Sequence, residues 1–376
     1  MTFENLNLIK PLLDSIKREG YDEPTPIQLR SIPSILEGRD LFGCAQTGTG
    51  KTAAFALPLL QLIAADRTSI KQAGIKALVI APTRELAIQI NESFKTYGRF
   101  TGIRTTCIYG GISQYNQVKT IQRGIDVLIA TPGRLLDLIN QHIIKLETIR
   151  YFVLDEADKM LDMGFIGDIR QILARLPKKR QTLFFAATST PEISKLAASM
   201  LIAPVNVTVA PVTSTTELIT ESVYYVRKED KVFLLKHLMQ HQSIQNALVF
   251  TRTKHRADKV ARALNNTGIK AESIHGDKSQ NKRENTLRGF KSGTIQVLVA
   301  TDLASRGIDI DKLTHVINFE IPESPEVYIH RIGRTGRAGS KGIAMSFCSS
   351  DERPYLNNIN KLTKKQIDVV RTHPYS

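Results

Sequence analysis

Short, almost uninterrupted apolar runs alternate along this chain with longer amphipathic stretches. Residues 77–81, 127–130, 151–154 and 182–186 are dominated by Val, Ile, Leu, Phe and Ala, the composition of strands buried on both faces. Between such runs, Arg84 to Phe100 and Lys159 to Leu176 carry apolar residues at helical spacing. The alternation predicts parallel strands joined by crossover helices. The second half repeats it, with strands expected near 247–250, 271–274, 297–300 and 315–319. Ala210-Pro211-Val212-Thr213-Ser214-Thr215-Thr216 follows neither period and is rich in small polar residues. It reads as a linker, residues 209–217, between domains at 1–208 and 218–376.

The two halves align with each other. Lys76-Ala77-Leu78-Val79-Ile80 ahead of Pro82-Thr83-Arg84 matches Asn246-Ala247-Leu248-Val249-Phe250 ahead of Arg252-Thr253-Lys254, 170 residues on. Asp126-Val127-Leu128-Ile129-Ala130-Thr131 matches Gln296-Val297-Leu298-Val299-Ala300-Thr301 at the same offset. Ile108-Tyr109-Gly110 and Ile274-His275-Gly276 keep the order at 166. Buried strands resemble one another by composition alone, but three matches in one order favour duplication.

Composition narrows the class. With 376 residues, 42% of them apolar and 23% charged, the chain suits two globular domains and is neither disordered nor fibrous. No apolar run reaches the length of a membrane span, and the first residues lack the pattern of a secretory signal. Cys44, Cys107 and Cys348 are scattered and without metal-ligand spacing, which fits a reducing cytoplasm. The net charge of +15, with both halves basic, is compatible with a polyanionic partner or with a solvated basic surface. No Trp and 6% aromatics predict a minor part for base stacking.

Three motifs carry candidate chemistry. In Ala45-Gln46-Thr47-Gly48-Thr49-Gly50-Lys51-Thr52 the backbone can wrap phosphates, an ammonium can reach the β- and γ-phosphates, and a hydroxyl can ligate Mg²⁺. Gly48-Thr49-Gly50-Lys51-Thr52-Ala53 also fits a dinucleotide fingerprint, but the next strand runs into Ala81-Pro82-Thr83-Arg84 instead of ending on an acidic ribose ligand. Ala45 stands where the strict phosphate-loop expression has glycine, yet Lys51 followed by Thr52 favours the phosphate loop. Asp155-Glu156-Ala157-Asp158 follows the apolar run Tyr151 to Leu154; Asp155 can hold Mg²⁺ and Glu156 can orient or deprotonate a water. Alone, it would read as an acidic helix start. His330-Arg331-Ile332-Gly333-Arg334-Thr335-Gly336-Arg337 can supply cations to a phosphoryl group, and Arg334 and Arg337 are expected three apart on a helix.

With these motifs in order, the chain resembles a DEAD-box RNA helicase over residues 3 to 350, and Thr251-Arg252-Thr253-Lys254-His255 is most similar to the bacterial RhlE-like branch. The resemblance implies two tandem RecA-like α/β domains, each a mostly parallel sheet flanked by helices. It implies ATP and Mg²⁺ as cofactors and hydrolysis of ATP on binding RNA, with local separation of short duplexes or remodelling of RNA–protein complexes. Catalysis falls to Lys51, Asp155, Glu156, Arg334 and Arg337, and Mg²⁺ to Thr52 and Asp155. ATP contacts fall to Phe3, Tyr21, Thr25, Gln28, residues Ala45 to Thr52, and Asp309. RNA contacts fall to Pro82, Thr83, Arg84, Gly110, Gly111, Thr131, Pro132, Gly133, Arg134, Thr251, Arg252, Gly276 and Thr301. Asp158, Ala186, Thr188, Arg306 and His330 would couple the domains. Implied partners are RNA, as single strand or short duplex, and ribosomal or RNA-decay proteins, for a monomeric cytoplasmic core with no membrane.

Glu221 stands 170 residues after Lys51, so the second half has no phosphate loop of its own. Ala186 is the clear departure: the family usually has a serine there, whose hydroxyl is expected to link Asp158 toward the second domain. Its loss predicts RNA-stimulated ATPase with impaired unwinding per ATP, unless Thr188 or a water takes over. A DNA-translocating helicase and a non-enzymatic RNA clamp are the rival readings; intact Lys51, Thr52, Asp155, Glu156 and Arg337 argue against the clamp.

Overall fold

A computed structural model describes residues 2–46, 48–69, 74–209, 219–242, 244–302, 313–336 and 341–375. Two compact units, Met1–Pro211 and Val212–Ser376, partition it. Val209 apart, the expected linker lies outside the described residues, as do Thr47, Arg306, Asp309 and Arg337.

The strands of the first unit are β1 (Leu41–Cys44), β2 (Ala77–Ile80), β3 (Thr105–Ile108), β4 (Val127–Ala130), β5 (Tyr151–Leu154), β6 (Gln181–Ala186) and β7 (Val205–Thr208). Those of the second are β8 (Ile219–Tyr225), β9 (Ala247–Phe250), β10 (Ala271–Ile274), β11 (Val297–Ala300), β12 (His315–Asn318), β13 (Gly342–Cys348) and β14 (Asp368–Val370). Every pairing is parallel. The sheet orders are β3-β4-β2-β5-β6-β1-β7 and β10-β11-β9-β12-β13-β8-β14, the same permutation shifted by seven strands. The three sequence matches between the halves fall on equivalent strands: β2 on β9, β4 on β11, and β3 on β10. Topology therefore repeats where the sequence repeats.

Central strands are buried at every position, because helices cover both faces of each sheet. The apolar residues of the first unit divide into one cluster around Phe55, Phe94 and Phe185 and another around Phe152, Leu154 and Phe184, one on each side of the sheet. Edge strands β7 and β14 are partly exposed, and no continuous apolar run announced them. The expected helix Lys159–Leu176 is two, Ala157–Asp162 and Ile166–Leu173, because Gly164 at φ +78° turns the chain between them. The helix starting at Arg84 stops at Tyr97, capped by Gly98. Among the described residues no helix is long and apolar enough to cross a membrane.

Candidate nucleotide and RNA sites

Strand β1 delivers the chain into Ala45–Gly50, and the helix Lys51–Ser69 begins directly after it. Gly48 at φ +85° and Gly50 at φ +88° turn the loop through backbone conformations open chiefly to glycine. A Cβ on Gly50 would overlap the Gln28 amide, which donates to the Gly50 carbonyl at 3.2 Å while its oxygen accepts from Thr25 N at 2.9 Å. Gln28 thereby latches the segment before the first sheet onto the glycine loop. The Lys51 ammonium is buried and donates to the Ala45 carbonyl at 2.6 Å, and Thr49 Oγ1 donates to the Gln46 carbonyl at 2.7 Å. Phe3 packs inward with Leu6 in the core, whereas Tyr21 is exposed and stands 6.2 Å, centroid to centroid, from Tyr97.

Asp155 directly follows β5 and is buried; desolvation lifts its carboxyl to about 6 against the pull of the Lys51 ammonium, and the neighbouring Glu156 adds to the rise. Asp155 Oδ1 accepts from Glu156 N at 2.9 Å. Glu156 sits at φ 54°, ψ 48°, a left-handed conformation that costs a non-glycine residue about 1–3 kcal/mol and marks functional sites. Its carboxylate is held by the Lys159 ammonium at 2.6 Å in a buried ion pair that the sequence reading missed; the three-residue spacing was its only signal. Asp158 Oδ2 accepts from Ala187 N at 3.0 Å, Thr188 N at 3.1 Å and Thr188 Oγ1 at 3.3 Å. Thr188 thus supplies a hydroxyl to Asp158 where Ala186, buried at the end of β6, has none.

The donor set fits a magnesium nucleotide. A positive-φ glycine loop, a lysine and the start of a helix suit polyphosphate, and hard oxygens at Thr52 and Asp155 suit a cation that keeps most of its waters.

The RNA candidates of the first unit gather at the ends of β2, β3 and β4. Thr83 caps the helix Arg84–Tyr97 by accepting from Leu86 N at 3.3 Å. Arg84 lies against Gly110 and Gly111; Gly111 has φ +81°, and its Cβ would fall 2.5 Å from Arg84 Cζ. Arg134, two residues into the helix that Pro132 opens, donates to the Ile112 carbonyl at 3.0 Å. Thr131, Pro132 and Gly133 form the start of that helix.

In the second unit the candidates spread further. Thr251 is buried, and Thr253 caps the helix Lys254–Asn265 as Thr83 caps its counterpart. Arg252 turns into its own unit: it donates to the Ile321 carbonyl at 2.8 Å and to Glu352 at 3.1 Å, and lies over the Tyr355 ring at 5.3 Å. Glu352 also holds the buried Lys231. Gly276 follows β10, and Thr301 follows β11 half-buried. His330 is exposed on the helix Pro325–Ile332. That helix ends at Ile332, where Gly333 caps it, so Arg334 lies beyond it, while Arg337 lies outside the described residues. Arg334 is buried. Arg331, which drew no separate role from the sequence, makes a bidentate pair with Asp302 at 2.6 and 2.8 Å and stacks over Phe250.

A parallel sheet bearing a Lys-Thr glycine loop beside a buried Asp-Glu pair, followed by a second sheet of the same topology, defines a phosphate-loop nucleoside triphosphatase with two RecA-like units. Residues 25–196 match the model of the DEAD/DEAH box helicase family, and residues 230–339 match that of the helicase conserved C-terminal domain. The chain is 46% identical over 367 residues to the DEAD-box ATP-dependent RNA helicase CshA of Bacillus cereus, covering 98% of this chain and 69% of that one. Among solved structures it is similar to S. cerevisiae Dbp5 bound to RNA and ADP BeF3 (TM-score 0.85, 31% identity, 98% of this chain and 95% of that one). It is also similar to Mss116 bound to ssRNA and UDP-BeF (TM-score 0.88, 28% identity, 100% of this chain and 81% of that one). The chain belongs to the DEAD-box ATP-dependent RNA helicases, and its activity is RNA-stimulated ATP hydrolysis that drives the unwinding of RNA, with ATP and Mg²⁺ as cofactors.

Proposed function

We propose that Lys51 neutralises the β- and γ-phosphates, that Thr52 and Asp155 hold Mg²⁺, and that Glu156 orients the attacking water. Bound there, Mg²⁺ neutralises charge on the phosphates. The observation that carries this reading is the buried row Lys51, Asp155, Glu156 and Lys159 beside the glycine loop. Lys159 holds the Glu156 carboxylate in place, on a residue whose backbone takes a positive φ. Gln28 senses the loop through Gly50. Roles for Arg334 and Arg337 rest on the family resemblance.

Lys51→Ala should nearly abolish nucleotide turnover and weaken ATP binding, whereas Glu156→Gln should bind ATP and RNA and fail to hydrolyse. Equal loss of ATP binding in both variants rejects these assignments.

RNA binds the first unit through Thr83, Arg84, Gly110, Gly111 and Arg134, groups suited to phosphate and ribose and therefore indifferent to base sequence. The domain limits 1–208 and 218–376, a monomeric core in the cytoplasm, and ribosomal or RNA-decay proteins as partners belong to this proposal. Placement in the RhlE-like branch rests on the compact core, Thr251 to His255 and the short basic tail; the relatives at 46% and 47% identity carry the name CshA.

A further inference from the structure

The loop after β3 exposes an aromatic ring beside the RNA candidates of the first unit. Tyr115 opens the helix Tyr115–Gln122 and is 69% exposed. The backbone that presents it is pinned at three points. Gln117 bonds both ways with the Tyr109 backbone, at 3.0 and 3.2 Å. Gln114 and Gln141 exchange amide hydrogen bonds at 2.9 and 3.2 Å, tying the loop to the end of the helix Pro132–Asn140. Arg134 closes it through the Ile112 carbonyl. An exposed ring on a braced loop loses little conformational freedom when something stacks on it. Lys119 places its ammonium 6.0 Å from the ring centroid, and Arg123 follows exposed at the next four-residue step, so one helix face carries a ring and then two cations.

We propose that Tyr115 is a stacking platform for one unpaired base of the bound RNA, and that Lys119 and Arg123 take the adjoining phosphates. The occupant follows from continuity and charge. Arg84, Gly111 and Arg134 adjoin the same loop, and a π-face next to cations is the surface that single strands use without reading sequence. The inference rests on the RNA face proposed above. It departs from the expectation, drawn from the low aromatic content, that stacking is minor: one well-placed ring suffices for one base.

The test uses the full chain with a non-hydrolysable ATP analogue, Mg²⁺ and a fluorescent oligouridylate in which one abasic nucleotide is stepped along the strand. Tyr115→Ala should weaken binding by about 5- to 100-fold, the cost of one lost stack, while Tyr115→Phe stays near wild type. Wild type should lose affinity at one abasic position, and Tyr115→Ala should show no added loss there. The salt slope should be unchanged in Tyr115→Ala and shallower in Lys119→Ala, which alone loses a phosphate contact. Unaltered binding by Tyr115→Ala, or identical abasic profiles in the two proteins, overturns the proposal. Arg134→Ala separates the two readings: if it weakens binding and Tyr115→Ala does not, only the stacking role fails, and if neither does, the RNA face itself is misplaced.

Discussion

Asp155 shows what one buried carboxylate costs and why the fold keeps it. Burial lifts its pKa to about 6 from an ordinary value of 3.8. A carboxyl whose folded pKa is raised binds its proton more tightly folded than unfolded. Its penalty therefore sets in above the unfolded value and is complete once pH passes the folded one. Asp155→Asn should make the ligand-free protein more stable than wild type by roughly 1–3 kcal/mol above pH 6. That advantage should vanish below about pH 4. Urea unfolding across this range reads the difference, and an advantage that grows toward low pH contradicts the sign. The same substitution removes the Mg²⁺ ligand proposed above, so stability and turnover should move in opposite directions.

At the scale of elements, the end of β6 decides how Asp158 is held. The strand finishes on Ala186, and the next two residues turn their amides and the Thr188 hydroxyl onto Asp158 Oδ2. Three donors satisfy an oxygen for which the family resemblance implied a serine hydroxyl. Ala186 also packs in the core beneath the sheet, where an added hydroxyl meets apolar neighbours. Ala186→Ser should therefore leave unwinding per ATP within about twofold of wild type and lower stability by about 1 kcal/mol. Parallel unwinding and ATPase assays on one duplex check this; a marked rise in unwinding per ATP restores the coupling role to a serine at this position.

For the whole molecule, charge and backbone reading set the character of RNA binding. A net charge of +15 favours association with a polyanion, and on the RNA face proposed above the arginines would address phosphates rather than base edges. Affinity should be nearly the same for different homopolymers and should fall as salt rises, with a slope of about −0.7 per phosphate neutralised. Titrations with several homopolymers over a salt series measure both. A flat salt response, or strong preference for one sequence, argues against reading through the backbone.

Local sequence was sufficient wherever local rules are strong. Continuous apolar runs located β2, β4, β5 and β6 of the first sheet and β9, β11 and β12 of the second, since a strand buried on two faces has few polar positions to obscure it, but the interior strands β1, β8 and β13 were not read from such runs. The glycine loop and the acidic turn were legible because phosphate and metal chemistry constrains adjacent residues. Edge strands β3, β7 and β14 were not read from apolar runs, because partly exposed strands lack that continuity. Tertiary structure alone decided which polar groups meet. It set Gln28 on the Gly50 carbonyl across 22 positions of sequence and Arg252 on Glu352 across 100. It also buried Arg331 against Asp302 and ended its helix before Arg334. Such pairings depend on how strands order themselves in a sheet, and no period in the chain encodes that order.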